Sequence, residues 1–143
     1  MRRLAIGFFA STMLAVPALA SANVDCTIDD KFIAFEMEAI AGRSGPIQQV
    51  HVGTIAIKPA AGKLAAPQIT FDRTHIVQQW SLGDDLRLQI ETVDEAAKEA
   101  VNLVILARLD SKLDKYSGGY VLKITRGGKT TEFKGRIKEC QAG

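Results

Sequence analysis

Two histidines and two cysteines are the residues of this chain whose chemistry suits catalysis or metal binding. His51 lies within a segment rich in β-branched residues, and His75 lies at the start of another such segment. The sequence contains no Ser-His-Asp order and no nucleophile elbow. A zinc site takes about four ligands, and two of the four candidates are cysteines with a better use in a bridge. We therefore expect no enzyme activity, no metal and no cofactor.

Cys26 and Cys140 bracket most of the chain and stand 114 positions apart. They do not form a Cys-x-x-Cys pair, the usual arrangement of redox cysteines. Two cysteines in an exported chain most often pair, so we expect a disulfide between Cys26 and Cys140. Closing a loop of this length is worth about 4–5 kcal/mol in the chain-entropy model. The first and last strands must then lie side by side.

Residues 1–22 have the three parts of a secretory signal. Arg2 and Arg3 precede an apolar run at 4–16, and small residues follow up to Ala22, the cleavage position that we favour. The alternative is an uncleaved anchor, but a spanning helix needs about 20 apolar residues and this run is shorter. We expect residues 1–22 to be removed and residues 23–143 to form a single β domain in the periplasm or outside a bacterial cell.

The charge balance of the expected mature chain is neutral. The full chain has a formal charge of +2, and residues 1–22 carry two arginines and no acids. Nucleic-acid binding depends on an excess of Lys and Arg, so we expect no nucleic-acid partner. We also expect no membrane span in the mature chain.

Alternating apolar and polar residues predict antiparallel strands with one face in a core. The clearest patterns bury Leu86, Leu88 and Ile90, then Tyr120, Leu122 and Ile124, then Phe133, Gly135 and Ile137. The Gly127-Gly128 pair between the last two patterns predicts a tight hairpin turn. The whole pattern predicts an all-β fold, an antiparallel meander of about 8–9 strands that forms a small barrel or a two-sheet sandwich.

Four segments have less regular patterns. Residues 93–100 fit either a single helical turn or the tip of a long hairpin. Residues 101–109 are the most apolar stretch after the signal and predict a central strand, and residues 110–119 predict a polar loop. Gly53 is a candidate for a bulge or bend in its strand.

The last hairpin carries a candidate binding surface. The alternation places Lys123, Lys134, Arg136 and Lys138 on one polar face. Such a patch suits an envelope protein or an anionic glycan. The competing interpretation is an ordinary solvated face, whose lysines also protect a sheet edge.

Trp80 is the only tryptophan, and Gln78 is its expected neighbour on the same face. It fits a core position or an exposed stacking anchor. We expect an exported, non-enzymatic binding domain of the bacterial cell envelope. The alternative is a carrier of a small apolar ligand inside a barrel, where Trp80 would respond to the ligand.

Overall fold

The structure is a computed structural model that describes residues 21–42, 47–82 and 84–142. The predicted signal falls almost wholly outside these residues. Within them, no helix is long and apolar enough to cross a membrane. The strands are β1 (Ser21–Asp29), β2 (Ile33–Gly42), β3 (Ile47–Ile57), β4 (Gln68–Thr70), β5 (Ile76–Leu82), β6 (Asp85–Asp94), β7 (Glu99–Asp110), β8 (Lys115–Arg126), β9 (Lys129–Arg136) and β10 (Glu139–Ala142).

All described strands belong to one antiparallel sheet, in the order β4-β3-β2-β1-β10-β8-β7-β6-β5. β9 also pairs with β8, beyond the end of β10. Two meanders, β1 to β4 and β5 to β9, are therefore joined through β10, which lies between β1 and β8. Cys26 on β1 stands directly opposite Cys140 on β10, and the predicted disulfide joins them.

The sheet curls until its two edges approach each other. The Gln79 side chain on β5 accepts a hydrogen bond from the Ile47 N–H at 2.8 Å, and the Arg73 Nε donates to the Ile47 carbonyl at 2.7 Å. Side chains thus bridge the seam, and no backbone pairing between β3 and β5 occurs in the part of the chain that the structure describes. The fold is a curled, incompletely closed barrel, which decides between the barrel and the sandwich.

The concave face of the sheet forms the core. The first two predicted alternations are confirmed, because their apolar members are buried. The third is confirmed in part, because Phe133 and Ile137 are partly buried against the core and Ile137 lies beyond the end of β9. The side chains with at most 2 % exposure are those of Cys26, Ile28, Ile33, Met37, Ala39, Ile47, Ile55, Ala61, Leu88, Ile90, Leu103, Ile105, Tyr120, Leu122, Ile124 and Cys140.

The Gly127-Gly128 turn is also confirmed, with φ angles of 53° and 82°. Residues 93–100 form the tip of the β6–β7 hairpin and contain no helix. The central strand at 101–109 is confirmed as part of β7, which pairs with β6 and β8.

The predicted polar loop at 110–119 is wrong beyond its first residues. β8 begins at Lys115, and the β7–β8 ladder continues down to the pair Asp110–Lys115. Gly118 is needed in the ladder because a Cβ there would overlap the backbone of Leu106. The Gly-Gly pair at 118–119 therefore marks a close backbone approach and not a loop.

The predicted irregularity in β3 exists, but it is displaced from Gly53. The β2–β3 register skips His51 and Gln48, which are the extra residues of two bulges. Gly53 itself is paired, and it is buried where a Cβ would overlap the carbonyl and ring of Phe71.

Candidate functional site

A bulge in β5 turns Trp80 to the convex face of the sheet. Ile76 pairs with Ile90 and Gln78 pairs with Gln89, so Val77 is an extra residue on β5. In a regular strand without this bulge, Ile76 and Trp80 would share one face, since side chains alternate with period two. Ile76 is 4 % exposed, whereas Trp80 is 48 % exposed. The core reading of Trp80 is thus wrong, and its predicted neighbour Gln78 is exposed beside it.

Two adjacent cross-strand rows place Trp80 and the basic hairpin on the same convex face. Each row crosses β5, β6, β7, β8 and β9 in order. We call the two rows together the outer platform. The first row is Trp80, Arg87, Leu106, Gly119 and Arg136, and the second is Gln78, Gln89, Val104, Val121 and Lys134.

The apolar part of the outer platform is open to solvent. The Arg87 guanidinium stacks on the Trp80 ring, with 4.4 Å from its carbon to the ring centroid. Leu106 is 40 % exposed next to Arg87, and Val104 is half-buried. Together with Gln78 and Gln89, these residues line a shallow cleft of about 120 Å³.

An acidic side chain lies next to two of the predicted basic residues. Glu132 on β9 lies 3.0 Å from the Lys134 ammonium and 3.9 Å from the Lys123 ammonium. The hydrogen bond and charge of Lys134 lower the pKa of Glu132 below its ordinary value. Lys123 and Lys134 thus share one carboxylate, which the sequence pattern did not reveal.

Arg136 and Lys138 lie at the junction of β9 and β10. Arg136 belongs to the outer platform. The Lys138 N–H donates to the carbonyl of Thr27 on β1 at 3.3 Å, and the Lys138 ammonium contributes to lowering the pKa of Asp29, after the larger effect of Lys58. The structure therefore brings Lys123, Lys134 and Arg136 together and places Lys138 beside β1.

The histidines occupy exposed or partly exposed positions at irregular points of the chain. His51 is an exposed bulge residue on β3. The Nδ1 of His75 lies 2.9 Å from the carboxylate of Asp72, which also accepts a hydrogen bond from the Thr74 N–H. Hydrogen bonds from the Thr74 hydroxyl, His75 and the Thr74 backbone lower the pKa of Asp72 to about 2. These contacts cap the 3₁₀ turn Arg73–His75, which connects β4 to β5.

A second cleft lies at the end of the barrel formed by the β6–β7 hairpin. It has a volume of about 200 Å³ and is lined by Leu64, Ile69, Val93 and Val101 among others. The Ala65 N–H donates to the Glu99 carboxylate at 2.9 Å and ties the neighbouring loop to β7. Ligand pockets usually start near 300 Å³, so this cleft is small for a carried ligand.

The sequence pattern did not identify Arg87, Val104 and Leu106 as surface partners of Trp80. A signal was present in residues 101–109, because an apolar strand without alternation must place apolar side chains on both faces. No family model matches the chain, and no curated protein or solved structure matches it. Its function has to be inferred from the residues themselves.

Proposed function

We propose that this chain is an exported, non-enzymatic binding domain of the bacterial cell envelope, and that its partner docks on the outer platform. The observation that carries the proposal is the half-exposed indole of Trp80, which lies in one row with exposed Leu106. Trp and Arg are enriched at the centres of protein interfaces. An apolar centre with a polar rim is the usual anatomy of such interfaces.

Charge on the outer platform supports an acidic partner. Its two rows contain Arg87, Lys134 and Arg136 and no carboxylate. Complementary charge accelerates association and selects against wrong partners. Lys134 is engaged with Glu132, so Arg87 and Arg136 contribute most of the attraction.

The geometry favours a protein surface over an anionic glycan. Sugar rings stack on the open face of an aromatic ring, and Arg87 covers one face of the Trp80 indole. Strand spacing gives the outer platform an area of roughly 300 Å². A standard interface covers about 800 Å² on each partner, so the partner also covers neighbouring rows.

The export part of the proposal has its own support and its own test. The Cys26–Cys140 disulfide suits an oxidising compartment, and the signal pattern at residues 1–22 supplies the route. We expect the protein isolated from the envelope fraction to begin at Asn23 by mass spectrometry and to contain no free thiol. Full-length protein in the cytosol, or two free thiols, would contradict it.

The docking test uses charge and polarity changes with matched controls. A photoreactive side chain at position 106 identifies the envelope partner, and its affinity for the purified domain is then measured by calorimetry. We expect Leu106→Asp and Arg136→Glu each to weaken binding at least tenfold, because they place a carboxylate where an acidic partner docks. The controls are Leu113→Asp and Lys112→Glu, whose residues lie in the β7–β8 turn away from the outer platform.

Three results would overturn the docking proposal. Equal losses in the control variants would show that the effect is not local to the outer platform. Unchanged affinity in both Leu106→Asp and Arg136→Glu would show that the partner docks elsewhere. Competition by an anionic envelope polysaccharide, with no protein partner captured, would identify a glycan in place of a protein.

A further inference from the structure

Among the described strands, β9 pairs with β8 alone. It pairs with β8 from Lys129 to Arg136, and its continuation β10 pairs with both β8 and β1. β1 ends at Asp29, where the chain turns into β2. Beyond that turn, the sheet position next to β9 holds no strand of the described chain. We call this position the β9 slot.

The hydrogen-bonding groups that face the β9 slot can be assigned from the register. The Ile137 N–H donates to the Gly118 carbonyl on β8, and the Lys138 N–H donates to the Thr27 carbonyl on β1. The backbone N–H and C=O groups of the odd-numbered residues of this strand therefore bond to β8. Those of the even-numbered residues point to the opposite edge of the strand. The backbone groups of Thr130, Glu132 and Lys134 face the β9 slot, and none of them bonds to another described segment.

The concave side of the β9 slot is lined by the aromatic rings of Phe32 and Phe133. The rings of Phe32 and Phe133 pack at 5.0 Å between centroids, and the Lys31 ammonium lies 4.7 Å above the Phe32 ring. Phe32 and Phe133 are both only partly buried against the core. Apolar side chains of an added strand would extend this contact inward.

The charge around the β9 slot selects the occupant. Residues 129–138 contain four basic side chains and one acidic one, within a chain that is neutral after its predicted signal. Lys134 and Arg136 project from β9 on the convex side. An added strand with alternating apolar and acidic residues would place its apolar residues on Phe133 and its acids beside Arg136 and beside Lys134, which Glu132 already contacts at 3.0 Å.

We propose that the β9 slot binds an extended segment of a protein partner as an added antiparallel or parallel strand, with acidic side chains on the convex side. Main-chain hydrogen bonds give such complexes affinity, and alternate side chains give them specificity. The β9 slot shares Lys134 and Arg136 with the outer platform, but its backbone hydrogen bonds involve neither Trp80 nor Leu106.

Two variants at position 132 separate the loss of a backbone hydrogen-bond donor from the loss of a charge. Glu132→Pro removes an N–H that faces the β9 slot and leaves the odd-numbered bonds to β8 in place. Glu132→Thr removes the same charge and keeps the N–H. The probe is a synthetic nine-residue peptide of alternating valine and glutamate, and its affinity is measured by fluorescence polarisation.

We expect Glu132→Pro to weaken peptide binding at least tenfold relative to Glu132→Thr. A peptide of alternating valine and lysine should bind at least tenfold more weakly than the glutamate peptide. Leu106→Asp should leave peptide binding unchanged, so failure of the β9 slot and failure of the outer platform are distinguishable. Equal affinity of Glu132→Pro and Glu132→Thr, or absence of peptide binding, would overturn the proposal.

Amide hydrogen exchange on the unmodified protein tests the proposal without any substitution. Adding the glutamate peptide should slow exchange at Thr130, Glu132 and Lys134 at least tenfold. Thr131 and Phe133, whose N–H groups already face β8, should change little. Uniform protection of all five amides, or of none, would also contradict strand addition.

Discussion

Tyr120 and Trp80 are aromatic residues of one curled sheet that face its opposite sides. Tyr120 is 2 % exposed, and its hydroxyl donates to the carboxylate of Asp30 in the β1–β2 turn. Trp80 is 48 % exposed and contacts the guanidinium of Arg87. On the concave face, the hydroxyl of Tyr120 has a hydrogen-bond partner. On the convex face, the ring of Trp80 is half open to solvent.

The electrostatics of the Tyr120 site show a closed arrangement. Partial burial raises the pKa of Asp30, but hydrogen bonds from Tyr120 and from the Ile33 and Phe32 N–H groups outweigh it, and the net shift is downward. Burial, followed by the bond to Asp30, raises the pKa of the Tyr120 phenol. The pair therefore stays as a neutral phenol and a carboxylate near neutral pH. The polar atom of the concave aromatic residue is thus satisfied inside the fold, and binding by the convex residues stays a proposal.

The largest expected effect tests this contrast directly. Tyr120→Ala should lower the free energy of unfolding by about 3–5 kcal/mol, since it leaves a cavity in the core. Trp80→Ala should lower it by less than about 1 kcal/mol, because exposed substitutions cost little. Urea unfolding of both variants measures the difference. Similar losses for the two would remove the distinction between the faces.

A smaller effect is expected at Gly135, which makes room for Tyr120. A Cβ at this position would overlap the Tyr120 ring and the Asp30 carboxylate. Gly135→Ala should cost about 2–3 kcal/mol through overpacking. Gly42→Ala is the control, because among the described residues its Cβ would meet only the flexible Gln48 side chain. Equal midpoints of thermal unfolding for the two variants would show that Tyr120 shifts without cost.

The smallest effect is expected at the seam, where Asp72 caps the turn before β5. Its pKa lies at about 2 in the folded chain against an ordinary value of 3.8. Because the pKa is lowered in the folded chain, the ionised carboxylate stabilises the fold at pH values above its ordinary pKa. This contribution is lost as the pH falls from about 4 through 2. Titration of the Asp72 carboxyl by NMR should give the low value. Asp72→Asn should abolish that part of the acid dependence, and a midpoint near 4 for Asp72 would contradict the cap.

Most of the concave face could be predicted from the sequence. The alternations around Leu88 and Leu122 follow from burial of one sheet face, that around Phe133 follows from its partial burial, and the Gly127-Gly128 turn follows from its positive φ angles. The disulfide followed from the compartment expected for an exported chain. These features depend on local pattern or on covalent chemistry.

The convex face could be predicted only in part. The outward direction of Trp80 depends on one extra residue, Val77, and no pattern in β5 reveals that bulge. The alignment of Trp80 with Arg136 depends on the register of five strands. The pairing of Glu132 with Lys123 and Lys134 likewise depends on the β8–β9 register. Local sequence does not contain that long-range information.

The place of β10 in the sheet has a consequence for how this chain acquires its shape. Its short pairing segment, Glu139–Ala142, connects two meanders that share no other backbone pairing among the described strands, and Cys26, the partner of Cys140, lies 114 positions earlier. Contacts so distant in sequence form late and slow the overall reaction. Until β10 is inserted, β1 and the beginning of β8 have open edges, which are prone to pair with other chains. We therefore expect oxidation of Cys26 and Cys140 to secure a late assembly step, and a chaperone that shields these two edges to raise the yield of the native protein.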